Sequence, residues 1–202
     1  MKILFFLIIY LFASFSVAQN DKINTKEVSC PEKWWAVKHP FALKKAKKVT
    51  IETKKIVNQL KKDTILKGSG NGGQIDAFRH AYWMARLTQE IGYRRAKRLG
   101  NAHEKGNYKA FKNGEYEDGA IPDKISSEMD FFNNEVGIEI GKNTSVEATK
   151  ETVIKAVLNG ECKVLKMNNQ GEYLTCEGEI IPKETLIGKW ENNKCLVGSA
   201  IR

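Results

Sequence analysis

The chain has 202 residues, 28% of them charged and 42% hydrophobic, and 33 basic against 24 acidic side chains give it a formal charge of +9. That length limits it to one domain with a real core and at most a small appendage. The positive balance favours an anionic partner such as nucleic acid, acidic lipid or acidic glycan, but it serves solubility equally well and by itself chooses none of them.

Met1-Lys2-Ile3 and the apolar run to Ala13, followed by Ser16-Val17-Ala18, have the charged start, short greasy core and small-residue site of an export signal. The run is too short for a spanning helix of about 20 residues, and no later stretch reaches that length. The expectation is a signal over residues 1–18 and an exported protein, periplasmic or secreted, with no transmembrane segment once the signal is removed. No cysteine follows the small residues, so a lipoprotein anchor is not expected. Residues 19–33 are polar, contain Pro31, and read as a flexible lead-in tethered at Cys30. Trp34-Trp35 then fit either a sugar- or membrane-binding pair or, more often for aromatics ahead of a helix, a staple to the core.

Pro40 opens a helix predicted to reach Lys62, with Ala42, Ala46, Val49, Thr53, Ile56 and Leu60 forming one apolar stripe. Nine lysines between Lys38 and Lys62 read as a solvated face, with a membrane-surface or nucleic-acid face as the alternative. Gly68 to Gly73 is a glycine-rich loop without the ending of a Walker motif. A helix over Gln74–Ile91 stops at Gly92, and a second runs from Tyr93 to Lys105 with Gly106 as its expected stop. A loop over residues 106 to 124 leads to a third helix from Ser126 or Ser127 to near Gly141. A fourth follows a capping box between Thr144 and Glu147 and ends at Gly160.

The tail changes character. Cys162 to Met167 and Glu172 to Glu177 alternate like strands around Asn168-Asn169-Gln170-Gly171, which predicts a hairpin, and Ile180 to Trp190 offers a further strand. Cys30, Cys162, Cys176 and Cys195 make an even count, which in an exported chain favours disulfides and allows three connectivities. Facing positions across the hairpin favour Cys162 with Cys176, leaving Cys30 with Cys195. The fold class expected is therefore mainly α, with a helical bundle-like domain over residues 34–160 and a small disulfide-bearing β-hairpin appendage over residues 161–202.

One stretch concentrates the chemistry. Asp76 and His80 share a helix face four residues apart, as do Asp130 and Asn134 on another helix, and His103-Glu104 lie between them in the chain. Facing helices build metal sites from such inward carboxylates and histidines. Asp76, His80, His103, Asp130 and Asn134 are thus the candidate ligands of a divalent metal, zinc by this ligand chemistry. Glu104 is the candidate general base, and Arg79 and Asn133 are candidates to hold a developing negative charge. A metal-free variant, with Asp76 orienting His80 as base, fits the same spacing. Each residue also has a plainer role: Asp76 at a helix dipole, Asp130 in a capping box with Ser127, His103 and Glu104 as surface charges.

The set D-A-F-R-H-A-Y-W, A-H-E and M-D-F-F-N-N-E-V-G, together with W-W-A-V-K-H-P, resembles an uncharacterised bacterial domain of unknown function found in exported and polymorphic-toxin-like proteins. The resemblance covers about residues 34 to 141. It implies a helical domain whose pattern falls at Asp76, Arg79, His80, His103, Glu104, Asp130, Asn133 and Asn134, and it brings no activity with it.

Together these readings predict an exported hydrolase, metal-assisted, whose substrate the sequence does not name. A non-catalytic envelope or surface protein binding an anionic polymer or membrane surface is the first alternative. A secreted nuclease-like toxin is the second, although no recognised nuclease spacing is present.

Overall fold

The computed structural model describes residues 28–68, 70–115 and 122–200. The expected export signal and the first part of the lead-in lie outside them. Six helices precede a small antiparallel pair of strands, so the fold is mainly α, as the periodicities predict.

The lead-in is helical from Cys30 onward. Ser29 and Glu32 form a capping box and Pro31 occupies the first turn, which together start α1 (Cys30–Lys38) where a flexible tether is expected from polarity alone. His39 ends it, its ring stacked on Trp35 and its Nδ1 bonded to the Trp35 carbonyl. α2 (Pro40–Leu60) buries Ala42, Ala46, Val49, Thr53, Val57 and Leu60. α3 (Gln74–Ile91) has the predicted bounds and is buried on nearly all sides, which makes it the central element.

α4 (Tyr93–Asn113) runs straight through Gly106 and ends at Gly114. Gly106 is small for packing, not for stopping: an added Cβ would meet the Ser29 side chain at 2.5–2.6 Å, so α1 could not seat there. α5 (Lys124–Asn143) starts earlier than predicted because Asp123, not a serine, caps it by accepting from the Ser126 N–H. Ser127 therefore lies inside the helix and makes no capping box with Asp130. α6 (Thr149–Leu158) starts a turn late, since Ser145 rather than Thr144 accepts from a backbone N–H, that of Ala148.

α3 packs most extensively on α5. Two glycines allow it: a Cβ on Gly137 or Gly141 would fall on the carbonyl of Ala81 or Ala85. Apolar side chains gather in two clusters, one around Phe78, Val153, Val157 and Cys162, the other around Trp35, Val49, Leu87 and Leu99.

The appendage differs from the predicted hairpin. β1 (Lys163–Leu165) pairs with the distant β2 (Leu196–Gly198), Val164 opposite Val197. The predicted turn at Asn168 is present, closed by the Asn168 N–H to the Glu172 carbonyl and the Gly171 N–H to the Asn168 carbonyl, but its arms are joined by a bridge between Met167 and Tyr173 and not by two full strands. Ile180 to Trp190 holds one bridge, from Ile180 to Leu174, and a 3-10 turn at Lys183–Thr185 instead of a strand. The pairing decides the disulfide. The Cys195 N–H donates to the Leu174 carbonyl, which sets Cys195 beside Cys176, and these two are bonded. The expected Cys162–Cys176 and Cys30–Cys195 bonds are both overturned: Cys162 is enclosed in the core and Cys30 is an exposed thiol. Burial, with the Glu161 charge nearby, pushes the Cys162 thiol up to about 12. No helix among the described residues is long and apolar enough to cross a membrane.

A candidate metal centre between α3 and α5

α3 and α5 carry their polar residues toward each other where glycines let the helices close. Asp76 stands in the first turn of α3, where the helix dipole favours a carboxylate, and the Gly72 N–H fixes one of its oxygens, Oδ2, at 2.6 Å. Gly72 has φ +79°, and a Cβ there would strike Leu165, so the loop reaches Asp76 only with glycine at this place. One turn on, His80 Nε2 lies 3.7 Å from Asp76 Oδ1 and 3.2 Å from Asp130 Oδ1 of α5. All three residues are buried, and one ligand atom from each lies within 4.8 Å of the others.

Arg79 shares this point. Its guanidinium is 2.7 Å from Asp76 Oδ1 and 3.0 Å from His80 Nε2. A guanidinium can only donate, so the Nε2 facing it is the unprotonated nitrogen. Burial, reinforced by the positive charge of Arg79 and by His103, holds the His80 pKa well below its ordinary value, while the neighbouring Asn134 amide acts the other way. The imidazole is thus neutral with its lone pair turned to two carboxylates and one cation. Of the three candidate ligands and Arg79, Arg79 is the most exposed, its side chain 27% open to solvent against 10% for Asp130.

The remaining candidates are placed differently. His103 of α4 comes to 6.1 Å from His80 between ring centroids, so the two imidazoles do meet, but it stands outside the three-residue cluster. Its Nδ1 is 3.1 Å from Glu32 Oε1 and its ring meets Trp83 edge-on. Glu32 is held below its usual carboxylate range against the effect of burial, by its hydrogen bond and attraction to His103 and by Ser29. Glu104 is buried and accepts from Asn107 one turn on. Asn134 is enclosed beside His80. Asn133 turns away: its amide donates to the Lys163 carbonyl and accepts from the Lys163 N–H, pinning β1 to α5, which is a structural task and not an anion-holding one.

Three neighbours escape a reading based on the histidine and aspartate motifs. Glu32 was visible as the fourth residue of Ser29-Cys30-Pro31-Glu32, a capping-box pattern. The Gly72 N–H and Tyr173 had no such signal, because their place depends on how the loop and appendage fold back. Burial raises the Tyr173 pKa, and the charges of Asp123 and Asp76 add to it, so this appendage residue feels the field of the site.

A family model described as a Domain of unknown function (DUF6973) matches residues 33–164. The chain belongs to that family. No curated protein and no solved structure matches it. The DUF6973 segment contains Asp76, His80, Asp130, Arg79 and His103 and ends inside β1, so Tyr173 and the disulfide lie beyond it.

Proposed function

We propose that the protein is a hydrolase whose reaction centre is Asp76, His80 and Asp130 around a divalent cation, zinc by preference. One observation carries this. Ligands about 2.0–2.1 Å from a tetrahedral ion stand about 3.3 Å apart, and the two histidine–carboxylate distances of 3.2 and 3.7 Å bracket that spacing, with all three ligand atoms within 4.8 Å of one another. Three acceptor atoms brought together in a buried place repel unless a cation lies among them; Arg79 holds that place beside Asp76 and His80, and a divalent ion would take it with all three acceptors as ligands.

A bound ion would acidify a water and polarise a substrate oxygen. The chain supplies the rest. Gly72 fixes Asp76, and Asn134 confines His80. Glu32 orients His103 as a carboxylate orients the imidazole of a triad, leaving its other ring nitrogen to carry a proton. With the His103 side chain 26% exposed, that nitrogen can exchange its proton with solvent. Arg79, now on Asp76, would be free to hold negative charge developing on a substrate if a cation took its place there.

The test is metal content after dialysis against zinc, manganese or magnesium, together with turnover on phosphodiester, ester and peptidoglycan substrates. The native protein retains about one ion. His80→Ala with Asp130→Ala loses both ion and turnover, whereas His103→Gln keeps the ion and loses turnover. Retention of neither ion nor activity by the native protein overturns the proposal. Turnover without an ion, abolished by His80→Ala, assigns the site to the metal-free reading, in which Arg79 is the permanent cation.

A further inference from the structure

The paired tryptophans have divided tasks. Trp35 is buried and donates from its indole to the Arg95 carbonyl, so it is the staple. Its neighbour Trp34 is 62% exposed, and the same corner leaves Val37 at 71% and Phe41 at 96%. Trp34 and Val37, three apart on α1, share a face, and Phe41 follows directly after the break at His39. Three bare apolar side chains within eight residues are more than scatter on a soluble surface.

The charge around them has one sign. Between residues 33 and 48 there are six lysines and no carboxylate. Glu32, the nearest acid, is turned inward onto His103; among the described residues one ion pair joins these six to an acid, Lys45 with Glu90 at 3.9 Å, and Lys48 is also attracted to Glu52 one turn on. Beside Trp34 a cleft of about 430 Å³ opens between α1 and α4, lined also by Lys38, Arg98, Lys105 and Asn101 and by no carboxylate. Its three cations are in no ion pair among the described residues.

We infer that this corner docks on an anionic lipid surface, with Trp34, Val37 and Phe41 entering the interface, the lysines facing the headgroups and one phosphate received in the cleft. Apolar and cationic groups side by side are what such an interface takes up: aromatic rings settle at headgroup level and lysines gain from the surface potential. A nucleic acid would use the cations and the indole but offers nothing to Val37. The corner is independent of the Asp76, His80 and Asp130 site, so failure here leaves the metal reading standing.

The experiment is sedimentation of the full chain with vesicles of phosphatidylcholine, with and without phosphatidylglycerol, joined to quenching of Trp34 by brominated lipid. Binding is expected only with the anionic lipid. It weakens by at least roughly fivefold, the effect of losing one positive charge, for each of the reversals Lys38→Glu, Lys44→Glu and Lys48→Glu. The same reversal at Lys150 and Lys155 on α6 changes it far less. Quenching disappears in Trp34→Phe, and Val37→Ser with Phe41→Ser releases the protein while leaving its circular dichroism unchanged. Absence of anionic-vesicle binding overturns the inference, as does equal weakening by the α6 reversals. Binding that survives Trp34→Phe and the serine changes belongs to some other segment, such as residues 1–18, and overturns it too. Tight binding to an oligonucleotide, indifferent to Val37 and Phe41, would assign the corner to nucleic acid instead.

Discussion

The α3–α5 seam and the α1–α2 corner invert the usual distribution of side chains in opposite senses. In the seam, two carboxylates and a neutral imidazole are drawn together out of water, with one partly exposed guanidinium beside them. At the corner, aromatic and aliphatic groups face water among cations that have almost no acid partners. A chain selected for stability alone would do neither, because buried charge is costly and exposed Phe gains nothing. The difference separates two demands: the seam is built for preset geometry, the corner for availability.

The strongest way to break the seam is to force its helices apart. Gly137→Val places side-chain carbon on the Ala81 carbonyl, where backbone cannot yield as a flexible side chain would. Denaturant unfolding should show a loss of about 3 kcal/mol, and any retained divalent ion should be lost with it. A near-neutral result would mean that α3 and α5 tolerate a wider spacing, and the metal distances would lose their force.

How far the sequence foretold these regions follows from what sets them. Asp76 with His80, and Asp130 with Asn134, were legible because helical period alone places residues four apart on one face. That the two faces meet also follows once both helices must bury their apolar sides. Asn133 faces elsewhere because a neighbour in sequence lies about 100° away on a helix, here toward β1. The role of Gly106 and the Cys176–Cys195 bond were illegible for a different reason. Each depends on a partner remote in the chain, Ser29 against Gly106 and Leu174 against Cys195, and local pattern carries no trace of it, whereas the end of α4 is a local left-handed cap at Gly114.

Arg79 offers a finer test of whether the seam awaits a metal. In Arg79→Met the carboxylates lose their resident cation, and the metal-free protein should be less stable by about 2 kcal/mol, below the usual range for a fully buried pair because the guanidinium is partly exposed. Zinc should then raise the melting temperature of the variant more than that of the native protein, since the ion no longer competes with a guanidinium. An equal rise in both would show that Arg79 and the ion do not share a place.

A smaller effect comes from His80 through pH. Its folded pKa lies well below the ordinary value of 6.5, so between the two values the unfolded chain binds the extra proton. Stability is therefore full above about 6.5 and falls as pH drops beneath it, with a slope approaching 1.4 kcal/mol per pH unit (about one proton). His80→Gln should flatten this limb. Glu32 and Glu52, whose carboxyls are held low by His103 and by Arg86 and Tyr82 against burial, lose their contribution only as pH falls below about 4.5, so the two windows are separable.

The least effect on stability is expected at the corner, and its smallness is the point. Phe41→Ser and Trp34→Ala remove groups that touch little of the protein, so each should shift unfolding by no more than about 0.5 kcal/mol while vesicle binding falls sharply. The two readouts must part company if the side chains are held out for a partner. A loss above about 1 kcal/mol for Phe41→Ser would instead mean that the ring is covered when the protein is alone in solution. The corner would then be an ordinary packing contact, no longer a counterpart to the seam.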